Sequence, residues 1–434
     1  MLAHTLRLSL RALRQDLLRS LLMIVALGLG IGAAMTSVAV FRAMSVNPLA
    51  HKEGRVFIVQ MDNMAAGSPY QKAGEPPKQL TYRDATALWQ THQARRQVLL
   101  YPNQIALEGL DAPLSPTLAT VMFTTADLFP MFDVPMRYGG GWDAATDERG
   151  DLVVVLSREL NERAFGGANS VGKHLRIGGQ RFTVIGVTEA WHPQPRFYDY
   201  AAGVGAPEPD LWLPFAFGIA QQMRALNNDC WPSYAGPFAG FQQSECVWLN
   251  LWVELGSPDE VAAYRTLMER YVADQKALGR FPQPMHNRLR TVAEWLRSQA
   301  AVSSDVRLQT LLSFAFLAVC LINTAGLLLA KFLARVREVS VHRALGATRN
   351  QIFLRYLAEA GVIGLCGSLI GLLLTFGGSA AMQRLAPDLA HARLLDPSMI
   401  GATVVLAIAV SLVAGAIPAW RVCRTVPATF LKSE

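Results

Sequence analysis

Four stretches of the chain are apolar on every face. Leu21 to Phe41 lies between Arg19 and Arg42, and Leu308 to Ala330 between Arg307 and Lys331. Ala360 to Met382 follows Glu359 and ends before Arg384, and Pro397 to Trp420 lies between Asp396 and Arg421. No Asp, Glu, Lys or Arg interrupts any of them. About 20 apolar residues make a helix long enough to cross the hydrocarbon of a bilayer, whereas a helix of a soluble core keeps a polar face. The pattern predicts membrane helices at 21–41, 308–330, 360–382 and 397–420. The first is longer than the apolar core of a cleavable signal peptide.

Between the first two spans the pattern is that of a folded domain, 42–307. Arg55 to Gln60, Leu152 to Leu156 and Leu249 to Leu255 read as strands. Thr81 with Asp84 three residues on opens a helix through about His92, and Ser157 caps another through Phe165. His174 to Val187 alternates around Gly178-Gly179, a hairpin signal. Pro258 to Leu278 reads as a helix. Strands and helices mix, so the domain is α+β. Aromatics, prolines and two cysteines gather around 205–245, which predicts a second lobe there. The fold class is a polytopic α-helical membrane protein of four spans, with a large extracytoplasmic α+β domain between the first and second.

Charge orients the spans. Residues 1–20, 331–359 and 421–434 together hold thirteen Lys and Arg against four Asp and Glu. Residues 42–307 hold 25 against 27, and the loop 383–396 is balanced. The excess of basic residues marks the cytoplasmic side. Both termini and 331–359 are therefore expected inside, with 42–307 and 383–396 outside. The net charge of +7 is a topology signal and does not point to nucleic acid.

The domain carries little chemistry. Gly167-Ala-Asn-Ser-Val-Gly172-Lys173-His174 fits the first seven positions of a phosphate-binding loop, but His174 replaces the Ser or Thr that holds magnesium. The residues after His174 alternate like a strand, so the stretch reads as a turn into the hairpin. The histidines lack metal-ligand spacing, and the pairs Asp147-Glu148 and Asp259-Glu260 read as solvated surface. No catalytic set and no metal site are expected. Cys230 and Cys246 are the only cysteines of the domain. An oxidising compartment favours pairing them, and two buried free thiols are the alternative.

Within the spans, Gly28-Leu-Gly-Ile-Gly32 and Gly367-Ser-Leu-Ile-Gly371 both match the small-residue spacing that lets membrane helices approach closely. In 331–359, the second membrane helix reads as continuing into water to about Leu345, with Gly346 as its stop. Thr348 then caps an amphipathic helix. Such an elbow suits a lever on a soluble partner; the alternative is a helix lying on anionic lipid.

The run Arg335-Val-Arg337-Glu338-Val-Ser-Val-His-Arg343-Ala344-Leu345-Gly346-Ala347 resembles the coupling region of the MacB/FtsX/LolCE class of ABC transporter permeases. Ser340 and His342 depart from the commonest choices. Leu8 to Leu22 is similar to the family's lead-in to its first span. Val153 to Arg158, Phe165-Gly-Gly, Val171-Gly-Lys173 and Phe182 to Val187 resemble its external-domain signature, and Gly415 to Ala428 resembles its close. The resemblance implies a bacterial inner-membrane permease that binds no cofactor itself, with ATP and Mg on a cytoplasmic ATPase dimer. Only 20 residues precede the first span, which implies that this ATPase is a separate protein. It further implies a second permease (the same chain or a paralogue), a periplasmic adaptor and an outer-membrane channel. Arg335, Arg337, Glu338, Arg343, Ala344, Leu345, Gly346 and Ala347 would meet the ATPase. Substrate export leads; regulation of a cell-wall hydrolase, as by FtsX, and lipoprotein extraction, as by LolCE, are the alternatives.

Overall fold

The structure, a computed structural model, describes residues 16–64, 74–199, 208–231, 233–282, 286–299, 304–385 and 397–424. Most of the lead-in 1–20, of the loop 383–396 and of the tail 421–434 lies outside these residues, as do 205–207 and 232 of the expected second lobe. The chain forms two compact units, one of residues 46–301 and one of the remainder.

The first unit is built on one sheet of eleven strands. They are β1 (Val56–Gln60), β2 (Leu80–Thr81), β3 (Arg96–Gly109), β4 (Thr117–Thr124), β5 (Met136–Gly139), β6 (Val153–Leu156), β7 (His174–Ile177), β8 (Gln180–Thr188), β9 (Leu211–Pro214), β10 (Val247–Glu254) and β11 (Arg288–Thr291). The order is β11-β1-β10-β3-β4-β9-β6-β8-β5, with β2 beside β10 and β7 bridging β3 and β8. Only β4–β9 and β6–β8 pair in parallel.

Side chains alternate across this sheet. Ile58 and Val98 both pair with Trp252, and the three join a core with Phe132, Phe197 and Trp295. Phe57, Leu99, Leu251 and Val253 face the opposite core, with Tyr101, Phe123 and Trp248. Helix Pro258–Ala277 closes that second core through Tyr264, Met268 and Val272. The helix ends follow local sequence. Thr81, Ser157 and Ser257 each accept the backbone N–H three residues on, and Thr291 with Glu294 forms a reciprocal capping box.

Three expectations need correction. The described part of 205–245 does not close off as a lobe. Its β9 lies between β4 and β6, and its helices Phe215–Ala220 and Phe238–Gln243 send Phe215, Phe217, Phe238 and Phe241 into the core of the main sheet. The aromatics that suggested a separate core belong to the common one. The second concerns Asp147, read as solvated surface: it is buried, and its carboxylate accepts from the Ala126 backbone N–H and the Trp142 Nε1–H. The third concerns the end of the second span. Its helix stops at Leu333, the chain turns at 334–335, and a separate helix, Val336–Ala344, comes next.

Among the described residues, four helices are long and apolar enough to cross a membrane: TM1 (Leu17–Ser45), TM2 (Ser304–Leu333), TM3 (Arg349–Leu385) and TM4 (Pro397–Arg424). TM3 is one continuous helix; the amphipathic segment read after Thr348 is its first three turns. The two glycine motifs pack on each other. A Cβ placed on Gly28 would stand 2.6 Å from Ile370, and one on Gly371 would stand 2.9 Å from Ile31. Gly32 and Gly367 likewise face Leu374 and Leu27. TM1 and TM3 thus meet backbone to backbone.

Candidate functional site: the elbow between TM2 and TM3

The segment between TM2 and TM3 is a short helix, Val336–Ala344, held at its base and open at its tip. Val336, Val339 and Ser340 are buried, packed among Phe332 of TM2, Ile352 and Tyr356 of TM3, and Val422 and Cys423 of TM4. The Phe332 and Tyr356 rings lie 4.2 Å apart. At the other end Leu345 is 80% exposed and Val341 56%. Gly346 has φ +95, a left-handed conformation that ends the helix. The Thr348 hydroxyl accepts the Gln351 N–H, and the Gln351 side chain accepts the Thr348 N–H in return. This reciprocal cap starts TM3 directly.

Beneath the elbow is a charge cluster that the sequence pattern does not reveal. Lys331 is fully buried, its Nζ 2.6 Å from Glu359 Oε1 and 3.0 Å from Ser20 Oγ. Arg335, in the turn between TM2 and the elbow helix, lies 3.8 Å from the second Glu359 oxygen. One carboxylate on TM3 thus meets cations from the end of TM2 and the base of the elbow, and the lysine reaches TM1. Lys331 and Glu359 served only to bound the apolar runs in the sequence. Their opposite charge at facing ends of consecutive spans was the available signal.

Of the residues expected to meet an ATPase, Leu345 is exposed at the tip and Arg335 is engaged with Glu359 at the base. Ala347 packs partly against the membrane-helix core. The side chains of Arg337, Glu338 and Ala344 lie outside the described ones.

In the other unit, Cys230 and Cys246 are joined as a disulfide. Asp229 and Val247 exchange backbone hydrogen bonds beside it. Next to it, Arg280 donates to Asp84 at 2.8 and 2.9 Å and to Glu245 at 2.7 and 3.0 Å. The guanidinium holds the Glu245 carboxyl below the usual carboxylate range despite partial burial. The phosphate-loop lookalike ends in the turn at Gly172 and enters β7, not a helix, and the backbone N–H of His174 donates to Asp111. An anionic side chain therefore occupies the position a phosphate would need. Among the described residues, no group of three His, Cys, Asp or Glu side chains is placed to hold a metal ion.

Residues 20–271 match the family model of the MacB-like periplasmic core domain, and residues 310–427 match that of the FtsX-like permease C-terminal region. The chain belongs to the MacB/FtsX type of ABC transporter permeases. It is 22% identical over its whole length to the macrolide export ATP-binding/permease protein MacB of Azoarcus, and spans 60% of that protein. It is also 22% identical to the uncharacterized ABC transporter permease YvrN of Bacillus subtilis, with both chains covered end to end. The periplasmic region of MacB from Actinobacillus actinomycetemcomitans aligns with 61% of the chain and 96% of that region, at 12% identity and a TM-score of 0.37. In this permease the sheet domain is the periplasmic domain between TM1 and TM2, and the four helices make it a multi-pass inner-membrane protein. The elbow lies within the FtsX-like region.

Proposed function

We propose that the permease is driven through its elbow by a separate cytoplasmic ATPase, and that it passes this motion to the periplasmic domain. Both termini and the elbow then lie in the cytoplasm, as the concentration of basic residues there favours. The observation that carries this reading is the elbow's form: a buried, ion-paired base beneath an exposed apolar tip at Leu345. The exposed Leu345 and Val341 offer a partner apolar surface to bury. The end-to-end match with a protein described as a permease supports a separate ATPase. Matched relatives named for macrolide export and pyoverdine export support export of a substrate; its passage from the periplasm through an adaptor and an outer-membrane channel is part of the proposal. Two permeases would pair around two ATPases.

The test is co-purification of the ATPase with the full chain. Leu345→Asp should remove the ATPase while leaving thermal unfolding of the permease unchanged. ATPase retained at the wild-type level on the variant would refute docking at the tip. On the outer side, an adaptor captured by the full chain supports export, and a cell-wall hydrolase captured instead would replace it.

A further inference from the structure

The Lys331–Glu359 pair is placed where a purely stabilising interaction is poorly placed. Taking two charges out of water costs as much as their attraction returns, so well-packed apolar residues hold a protein interior together equally well. What the pair offers that apolar packing does not is direction. Glu359 sits near the end of the third turn of TM3 and gathers Lys331 from the last turn of TM2 and Arg335 from the start of the elbow. Lys331 in turn donates to Ser20 in the first turn of TM1. Lys331 Nζ lies 2.6 Å from Glu359 Oε1 and donates to Ser20 Oγ at 3.0 Å, and such directional contacts of a charged group resist displacement. Lys331, Glu359 and Ser20 are all buried, which strengthens the attraction.

We propose that Lys331, Glu359 and Ser20 form a buried joint that makes the elbow and the cytoplasmic ends of TM1, TM2 and TM3 move as one body. They are positioning residues. They touch neither nucleotide nor substrate, and act by preventing the elbow from flexing when its tip is pushed. The inference rests on the ATPase-driven reading for its use, but the joint itself is a property of this chain alone.

Two measurements separate these. The first needs no ATPase. Full-length permease in nanodiscs is compared as wild type, Lys331→Met, Glu359→Gln, Arg335→Gln and the exchange Lys331→Glu with Glu359→Lys made on Arg335→Gln, because Arg335 lies 3.8 Å from the Glu359 carboxylate and would repel a lysine there. The serine hydroxyl both donates and accepts, so the exchanged pair can still seat on Ser20. Amide hydrogen exchange of residues 336–344 should quicken at least about tenfold in Lys331→Met and Glu359→Gln and return to within about twofold of Arg335→Gln in the exchanged pair. Unchanged β10 amides show that the periplasmic domain remains folded. Lys331→Met and Glu359→Gln proteins that exchange like wild type, or an exchanged pair as fast as those two, overturn the joint.

The second measurement adds the ATPase. Lys331→Met and Glu359→Gln should still co-purify with it through the intact tip, yet lose the permease-dependent change in ATP hydrolysis, which the exchanged pair restores to the level of Arg335→Gln. Lys331→Met and Glu359→Gln proteins that keep that change overturn the joint's role in transmission. An ATPase that does not bind wild-type permease sinks the driven reading, and the joint is then judged by exchange alone.

Discussion

The glycine seam between TM1 and TM3 permits a graded prediction. A Cβ on Gly28 would stand 2.6 Å from Ile370 Cγ2 and 2.8 Å from its Cβ; one on Gly32 would stand 2.7 Å from Leu374 Cβ. On Gly371 the nearest atom is at 2.9 Å, on Gly367 at 3.3 Å, and on Gly377, further along TM3, nothing lies within 4 Å. Apolar carbons rest about 3.5–4.0 Å apart, so Gly28→Ala must open the seam by about 1 Å, and a gap of that size forfeits about a quarter to a half of each facing dispersion contact. Overpacking of this kind costs about 1–3 kcal/mol. Alanine's better helix propensity returns at most about 1 kcal/mol, so the net change is a loss at Gly28 and Gly32. At Gly367 the two effects nearly cancel, and at Gly377 alanine is neutral or stabilising. The assay is thermal unfolding of the five single alanine variants of the full chain in one nanodisc composition. Unfolding temperatures should rank Gly28 and Gly32 lowest, then Gly371, Gly367 and Gly377. A Gly28→Ala protein that melts with or above Gly377→Ala would refute backbone contact between these helices.

Two further predictions concern the periplasmic domain. The Cys230–Cys246 bond closes a loop with a sequence separation of 16, so replacing both cysteines by serine should destabilise the domain by about 3 kcal/mol. Thermal melts with and without reductant check this, and a melt insensitive to both changes refutes it. Burial pushes the Asp199 carboxyl up to about 7, only partly offset by Arg196, and the Asp147 carboxyl up to about 6. An unfolded aspartate titrates near 3.9, so the folded state binds these protons more tightly. Their contribution to stability is greatest at low pH and is lost as pH rises through about 6 and then 7. Asp199→Asn and Asp147→Asn should each flatten the fall in melting temperature between pH 5 and 8, and an unaltered slope refutes the assignment.

The features legible in the sequence had local causes. The spans arise from uninterrupted apolar composition, and the hairpin from Gly178-Gly179, whose φ values of +58 and +82 only glycine adopts freely. The helix starts arise from Thr81, Ser157 and Ser257. Strand β3 was hidden because Pro102, Asn103 and Gln104 interrupt its apolar pattern. Pro102 is tolerated because pairing with β10 ends at Leu100, leaving that side of the strand without a ladder to break. Strand β9 was hidden because it is only four residues long and is surrounded by aromatics and prolines. The charge cluster was hidden for a different reason. Its members lie 311 and 28 residues apart along the chain, and only helix packing shows that the two charges bounding neighbouring spans face each other.

The seam and the cluster act on the same helix. TM1 and TM2 are the spans whose chain continues into the periplasmic domain, so under the proposed drive motion would travel along them. TM1 has 29 residues, a rod of about 43 Å at about 1.5 Å per residue. Gly28 and Gly32 fix its middle against TM3, where Ile370 and Leu374 pack directly on the glycines and leave little room for one helix to slide on the other. A rod held only at its middle pivots, so a push at its foot reverses direction at its head. Ser20 fixes the foot as well, through Lys331 to the same helix TM3. With two holds on one partner, the proposed joint would make TM1 follow TM3 as a rigid body, and a displacement at the elbow would reach the outer end of the span with its direction kept. Breaking the joint while leaving the seam intact should therefore turn translation into rocking, which is a different defect from loss of ATPase docking.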